Sequence, residues 1–158
     1  MVTQKTLHIS IPVAVCLLVA FLAAVATQTS VHNWYLTLNK PFFTPPSWLF
    51  GPVWIVLYIL MGVAAGLVWD RGFYHKWVKT ALYHFAFQLV LNASWSIFFF
   101  GSKQIFPALL IITALFIFLL FTYRWFKVVN TVAAYLLIPY ILWVGFATLI
   151  NFEIWRLN

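Results

Sequence analysis

Polar and aromatic side chains recur at helical spacing in three apolar segments, and these residues could bind a ligand. Residues 78–100 carry His84, Gln88, Asn92 and Trp95 at steps of four, four and three. Such steps place side chains on one face of a helix. Polar groups inside a membrane span usually face the interior of the helix bundle. The expected chemistry is hydrogen bonding and ring stacking in a dry space.

Two further segments show comparable faces. One carries Trp54, Tyr58, Met61 or Gly62, and Ala65, and the other carries Tyr140, Trp143, Ala147 and Asn151. Rings combined with a few hydrogen-bonding groups are what a pocket for a flat apolar ligand requires. The alternative is that amides such as Gln88 and Asn151 only hold neighbouring helices together.

Residues suited to catalysis are sparse. The chain has two acids, Asp70 and Glu153, at predicted helix ends, and four dispersed histidines. Cys16 stands alone in an apolar run, so no disulfide or CxxC site is available. We therefore predict no catalytic residue, no metal site and no required cofactor. The nine Lys and Arg residues are scattered singly, a pattern that does not indicate nucleic-acid binding.

The composition predicts that these faces belong to membrane-spanning helices. Apolar residues make up 65% of the 158 residues and charged residues only 7%, whereas soluble domains have about 25% charged residues. We predict an all-α membrane protein, a single domain over 1–158, with five transmembrane helices. Their approximate bounds are 9–28, 48–69, 78–100, 105–123 and 132–155, each near the ~20 residues that a bilayer requires.

The first connection, residues 30–47, is long, aromatic and rich in proline. It contains Trp34, Tyr35, Pro41, Pro45 and Pro46. We interpret it as a lid packed on the bundle, with a disordered tether as the alternative. The segment 9–26 is interpreted as a retained first helix and not as a signal peptide. Six Lys and Arg residues are expected on the same side of the membrane as the N-terminus, and three on the opposite side. This distribution predicts a cytoplasmic N-terminus.

Ordered motifs give the chain a resemblance to the translocator protein family, also called tryptophan-rich sensory proteins. The first loop and second helix contain Leu38-x-Lys40-Pro41, Pro45-Pro46-x-Trp48 and Gly51-Pro52-Val53-Trp54-x3-Tyr58. The third helix contains Gln88-x3-Asn92-x2-Trp95, and the fifth contains Pro139-Tyr140-x2-Trp143-x2-Phe146-Ala147 and Leu149-x-Asn151-x3-Trp155-Arg156-x-Asn158.

The resemblance implies a five-helix membrane bundle with a pocket beneath the first loop. Such proteins bind porphyrins, sterols and drug-like isoquinoline carboxamides or benzodiazepines. Protoporphyrin IX or haem is therefore the expected ligand, and a bacterial cell membrane the expected location. The positions that match the family's pocket are Trp54, Tyr58, Asn92, Trp95, Trp143 and Ala147. Trp54 and Trp143 match the pair implicated in porphyrin photochemistry.

The resemblance leaves the activity open between three classes. A sensor for tetrapyrroles that regulates stress responses is favoured; a transporter of porphyrin or lipid and a light-dependent porphyrin-degrading enzyme are the alternatives. Phe152 stands where the family's cholesterol motif needs tyrosine, which argues against sterol binding. Gly62 and Gly66 form a small ridge, which serves either close packing within one bundle or a homodimer.

Overall fold

A computed structural model describes residues 3–158, and within that range all regular structure is helical. The helices are α1 (Gln4–His32), α2 (Trp34–Thr37), α3 (Ser47–Trp69), α4 (Lys76–Ser96), α5 (Ile105–Val129), α6 (Thr131–Leu136) and α7 (Ile138–Leu157). The connection between α1 and α3 forms the lid and contains the short helix α2. The π-helical turn Ile97–Gly101 extends α4.

Four helical segments between residues 3 and 158 are long and apolar enough to cross a membrane. They are α1, α3, α5 and the consecutive pair α6 and α7, which covers Thr131–Leu157. The predicted third span, α4, is long enough at 21 residues. Its polar side chains lower its mean hydropathy, because Lys76, Lys79, His84, Gln88 and Asn92 all lie within it. The structure thus supports four apolar spans, and not all five of those predicted.

The predicted span 132–155 is two helices that meet at Leu137. Pro139 has no backbone N–H for the carbonyl four residues earlier, which favours a kink or a break in the helix there. The backbone N–H of Leu137 instead donates to Ala134 O at 3.0 Å. Asn130 caps the N-terminus of α6, because its side-chain oxygen accepts hydrogen bonds from the N–H groups of Val132 and Ala133.

Close packing of α1 against α3 depends on two glycines. A Cβ on Gly62 would lie 2.5 Å from Val13 Cα, and one on Gly66 would lie 2.5 Å from Ile9 Cα. The two backbones therefore approach more closely than any larger side chain allows. The ridge of Gly62 and Gly66 is therefore covered by α1 of the same chain. This agrees with close packing within one bundle, the first of the two roles predicted for the ridge.

We predict that Gly66→Ala destabilises the bundle, because its methyl group would meet the backbone of α1. Overpacking of this kind costs about 1–3 kcal/mol. Gly51→Ala is the matched control on the same helix, since a Cβ there has nothing within 4 Å. The stability of both variants is measured by following their unfolding as a denaturing detergent is titrated. Equal stability of the two variants would contradict the α1–α3 contact.

Candidate functional site

A cavity of about 550 Å³ lies at the lid end of the bundle, between α1, α3, α7 and the end of α4. Its walls are mostly apolar, and many are aromatic. The aromatic residues along it are Phe21, Tyr35, Trp48, Phe50, Trp54, Tyr58, Trp95, Phe99, Phe100, Trp143 and Phe146. We call this space the aromatic cavity. Its volume falls within the range of about 300–1,000 Å³ that is typical of small-molecule sites.

Trp54 is the centre of the aromatic wall. Its ring centroid lies 5.9 Å from that of Tyr58, 6.1 Å from that of Trp95 and 6.4 Å from that of Trp143. The Trp143 ring stands nearly perpendicular to it, at 87°. Tilted and edge-to-face arrangements at these distances are favourable for aromatic pairs. The wall therefore joins α3, α4 and α7 through ring contacts.

A buried chain of hydrogen bonds supports the wall from behind. The Tyr58 hydroxyl donates to Asn92 Oδ1 at 2.7 Å, and Asn92 Nδ2 donates to the Tyr140 hydroxyl. Tyr140 in turn donates to Gln88 Oε1 at 2.9 Å. All four side chains are at most 3% exposed. We call this set of four residues the polar chain; it links α3, α4 and α7.

A second polar contact fixes the orientation of Trp95. Its indole N–H donates to Asn151 Oδ1 at 3.0 Å, and Asn151 Nδ2 donates to the carbonyl of Ile105 at 3.1 Å. The carbonyl of Ile105 lies in the first turn of α5, so this contact joins three helices. By contrast, the buried indole nitrogen of Trp143 has no hydrogen-bond partner within residues 3–158.

The lid covers the cavity with a buried ring. Tyr35 is 3% exposed and packs edge-on against Phe50 and Phe100, with centroid distances of 6.0 and 5.6 Å. Lys40 Nζ donates to the Tyr35 carbonyl at 3.0 Å and lies 4.9 Å from the centre of its ring. Burial raises the pKa of Tyr35 to about 12, so its hydroxyl stays neutral at physiological pH.

The C-terminus holds the same lid in place. The Asn158 side chain accepts from the backbone N–H of Asn39 at 3.2 Å and donates to its carbonyl at 2.9 Å. Asn39 also donates to the carbonyl of Leu157 at 3.4 Å. At the other end of the bundle, His8 pairs with Asp70 at 3.0 Å.

Five of the six predicted pocket residues line the aromatic cavity: Trp54, Tyr58, Trp95, Trp143 and Ala147. The sixth, Asn92, lies behind Tyr58 within the polar chain. Of the predicted lid residues, Tyr35 lines the cavity, and Trp34 packs edge-on against Phe99 with centroids 5.6 Å apart. Pro41 is buried, Pro45 is half-buried, and Pro46 is exposed immediately before α3.

The wall formed by α1 was not among the predicted site residues. Ala20, Ala23, Ala24 and Thr27 of this helix all line the cavity. Their spacing of three and four residues places small side chains on one helix face, and this signal was available in the sequence. Within residues 3–158, no group of three His, Cys, Asp or Glu side chains could hold a metal ion.

Known proteins with related sequences identify the family. The sequence profile of the TspO/MBR family matches residues 12–156. The tryptophan-rich protein TspO of Chlorobaculum tepidum is 39% identical over 98% of this chain and 98% of that protein. The TspO of Archaeoglobus fulgidus is 41% identical over 90% of this chain and 91% of that protein. The translocator protein of Homo sapiens is 40% identical over 80% of this chain and 75% of that protein. The chain belongs to the TspO/MBR family.

The family resemblance predicted from the motifs is thereby confirmed. TspO/MBR membership and four apolar helices together identify an integral, multi-pass membrane protein. The profile match extends over α3, α4 and α7, and so over the aromatic wall and the polar chain. The aromatic cavity is thus a feature of the TspO/MBR part of the chain.

We predict that Asn92→Leu destabilises the protein even without ligand. The change removes the acceptor of the buried Tyr58 hydroxyl, which costs about 1–3 kcal/mol for a donor left unpaired. It also removes the donor to the Tyr140 hydroxyl, which keeps its bond to Gln88. Tyr58→Phe is the control, since it removes only the first donor of the polar chain. Thermal unfolding in mild detergent measures both variants.

The same variants separate support from ligand contact. If Asn92 acts only by supporting Tyr58 from behind, Asn92→Leu lowers the affinity for carbonyl-bearing and hydrocarbon ligands equally. If it contacts ligand, only carbonyl-bearing ligands lose affinity, by about 1–2 kcal/mol. Unchanged stability together with a selective loss would contradict the supporting role.

Proposed function

We propose that the protein is a membrane receptor that binds porphyrins and drug-like apolar ligands in the aromatic cavity. Binding regulates a tetrapyrrole or stress response. The observation that carries the proposal is the wall of Trp54, Trp95 and Trp143 around an apolar space of about 550 Å³. Indole faces stack on flat ring systems, and each aromatic contact contributes about 0.5–1.5 kcal/mol beyond burial.

The lining suits a planar macrocycle with or without a metal. Histidine, cysteine, methionine and tyrosine are the usual axial ligands to haem iron. The lining contains His32, which is exposed at the end of α1, and the tyrosines Tyr35 and Tyr58. The Tyr58 hydroxyl already donates to Asn92, and the aromatic rings offer stacking to any planar macrocycle. Protoporphyrin IX, which needs no axial ligand, is therefore the first ligand to test.

Five crossings of the bilayer are part of the proposal, with α4 as the fifth span. The contact between His8 Nδ1 and Asp70 Oδ1, at 3.0 Å, places the start of α1 beside the end of α3, whereas Asn158 bonds to Asn39 at the lid end. Termini at opposite ends of a bundle require an odd number of crossings. The amides of α4 point inward, with Gln88 0% and Asn92 1% exposed, so the helix can face lipid on its other side.

We predict that Arg71 and Ser102, which flank α4, lie on opposite sides of the membrane. Arg71→Cys and Ser102→Cys, each in a Cys16→Ala background, are labelled in whole cells with a thiol reagent that cannot cross the bilayer. Only Ser102→Cys should react if the N-terminus is cytoplasmic, as the distribution of Lys and Arg favours. Labelling of both positions in intact cells would contradict five crossings.

We predict that Trp54→Leu combined with Trp143→Leu weakens protoporphyrin IX binding at least about tenfold, which corresponds to ~1.4 kcal/mol. Two stacking surfaces are lost while the apolar volume is largely kept. The control is Trp77→Leu with Trp125→Leu, since these rings stack on each other at 5.8 Å and neither lines the cavity. Fluorescence titration in vesicles measures the affinities.

Equal losses in the two double variants would contradict ligand binding at the aromatic cavity. The same proteins discriminate the alternatives. A transporter would move porphyrin across sealed vesicles in the dark. A light-dependent enzyme would produce a degraded tetrapyrrole under illumination, and would stop when Trp54 and Trp143 are replaced.

A further inference from the structure

The exposed part of the cavity lining lies on only two helices. Among the described residues 3–158, nine lining residues are exposed, and each of them belongs to α1 or α3. The lining residues of α4, its π-helical turn and α7 are buried or half-buried. The nine are Phe21, Ala24, Val25, Gln28, His32, Ser47, Trp48, Gly51 and Ile55. The mouth of the cavity therefore lies between α1 and α3. We call it the α1–α3 gap.

Three glycines on α3 show how the gap arises. Gly51 and Gly62 are eleven residues apart, so at 3.6 residues per turn they differ by only about 20° around the helix and both face α1. A Cβ added to Gly62 or to Gly66 would lie 2.5 Å from the backbone of α1. A Cβ added to Gly51 would have no atom within 4 Å. The two helices touch at one end and separate at the other.

The register of the pair identifies what faces Gly51. Gly66 lies on Ile9 and Gly62 on Val13, as expected for antiparallel helices. Continuing this register places Ala20 opposite Ile55 and Ala24 opposite Gly51. The smallest side chains of the mouth thus face one another. With a rise of 1.5 Å per residue, Ala24 lies about 12 Å below the end of α1, which is deep enough to face acyl chains.

In the part of the chain that the structure describes, the lid end has no comparable opening. Tyr35 is 3% exposed beneath the lid, and Asn158 holds the lid by two hydrogen bonds to the backbone of Asn39. The deeper rim of the gap is apolar, with Phe21 64% and Ile55 52% exposed. Exposed Gln28, His32 and Ser47 form its rim nearest the lid.

We propose that ligands enter and leave the aromatic cavity sideways from the bilayer, through the α1–α3 gap. The inference rests on the proposed function, and it names the ligand class. The ligand is dissolved in the membrane, with a flat apolar body that passes between Ala24 and Gly51 and a polar edge that stays at the rim nearest the lid. Water-soluble molecules have no comparable route.

The first test narrows the gap with Gly51→Phe. The control is Gly101→Phe, because Gly101 is exposed outside the lining and its Cβ would meet only Ile97 Cγ2, at 3.8 Å. Protoporphyrin IX is supplied in the vesicle membrane, and tryptophan quenching is followed by stopped flow. Association and dissociation should both slow about tenfold in Gly51→Phe, equivalent to ~1.4 kcal/mol of barrier, with the Kd changed far less. Wild-type rates in Gly51→Phe, or a weaker Kd with unchanged dissociation, would overturn the proposal.

A second test closes the gap reversibly and does not depend on side-chain bulk. Ala24→Cys with Gly51→Cys, in a Cys16→Ala background, is loaded with porphyrin and bridged by a reducible bifunctional thiol reagent. Release to external albumin should slow about tenfold and recover after reduction, while either single cysteine variant with the same reagent releases normally. Normal release from protein whose bridge is verified by mass spectrometry would overturn the proposal.

Failure of the proposed function gives a different result. If wild-type protein binds no porphyrin in vesicles, the function is wrong, and the same two tests are run with a membrane-dissolved isoquinoline carboxamide. A lid route is recognised by Asn158→Ala, which would accelerate porphyrin exchange while Gly51→Phe leaves it unchanged. That pair of results would overturn the α1–α3 gap as the route.

Discussion

The polar chain from Tyr58 through Asn92 and Tyr140 to Gln88 is the interaction on which the rest of the structure depends. No water is available inside a bilayer, so a donor that leaves its partner finds no replacement. The four side chains join α3, α4 and α7 and fix the rotation of each helix. Once those rotations are fixed, Trp54, Trp95 and Trp143 must face a common space. The cavity is thus held open by hydrogen bonds that lie behind its aromatic wall.

Packing on the remaining side follows a different rule. Helix association in lipid relies on close backbone approach, because apolar side chains gain little by leaving apolar lipid. Gly62 and Gly66 provide that approach to α1 at one end only. Farther along the same face of α3, the helices part at Gly51. One face therefore serves both as an attachment and as the edge of an opening, and α1 contributes a wall to the cavity without closing it.

Much of this arrangement could be predicted from spacing in the sequence, because Gln88, Asn92 and Trp95 recur at helical steps. The family motifs and the all-helical class were equally accessible. The resemblance to the family implied that Asn92 lies on the cavity lining, whereas spacing shows only which helix face it shares. In the structure Asn92 lies behind Tyr58. The contact of Asn39 with Asn158, 119 residues apart, depends on tertiary packing. The break at Leu137 has a local cause in Pro139, although a proline alone does not show whether a helix kinks or breaks. The amides Gln88 and Asn92 lower the mean hydropathy of α4, and the same amides make α4 the helix that joins α3 to α7.

The function that we propose requires the aromatic cavity to bind a flat, membrane-dissolved ligand. Mass spectrometry of small molecules that remain bound during purification in mild detergent tests this binding directly, with the Trp54→Leu and Trp143→Leu double variant purified alongside. We expect a planar tetrapyrrole or similar aromatic amphiphile, near one molecule per chain in the wild type and strongly depleted in the variant. Recovery of only bilayer phospholipid, in equal amounts from both proteins, would contradict it.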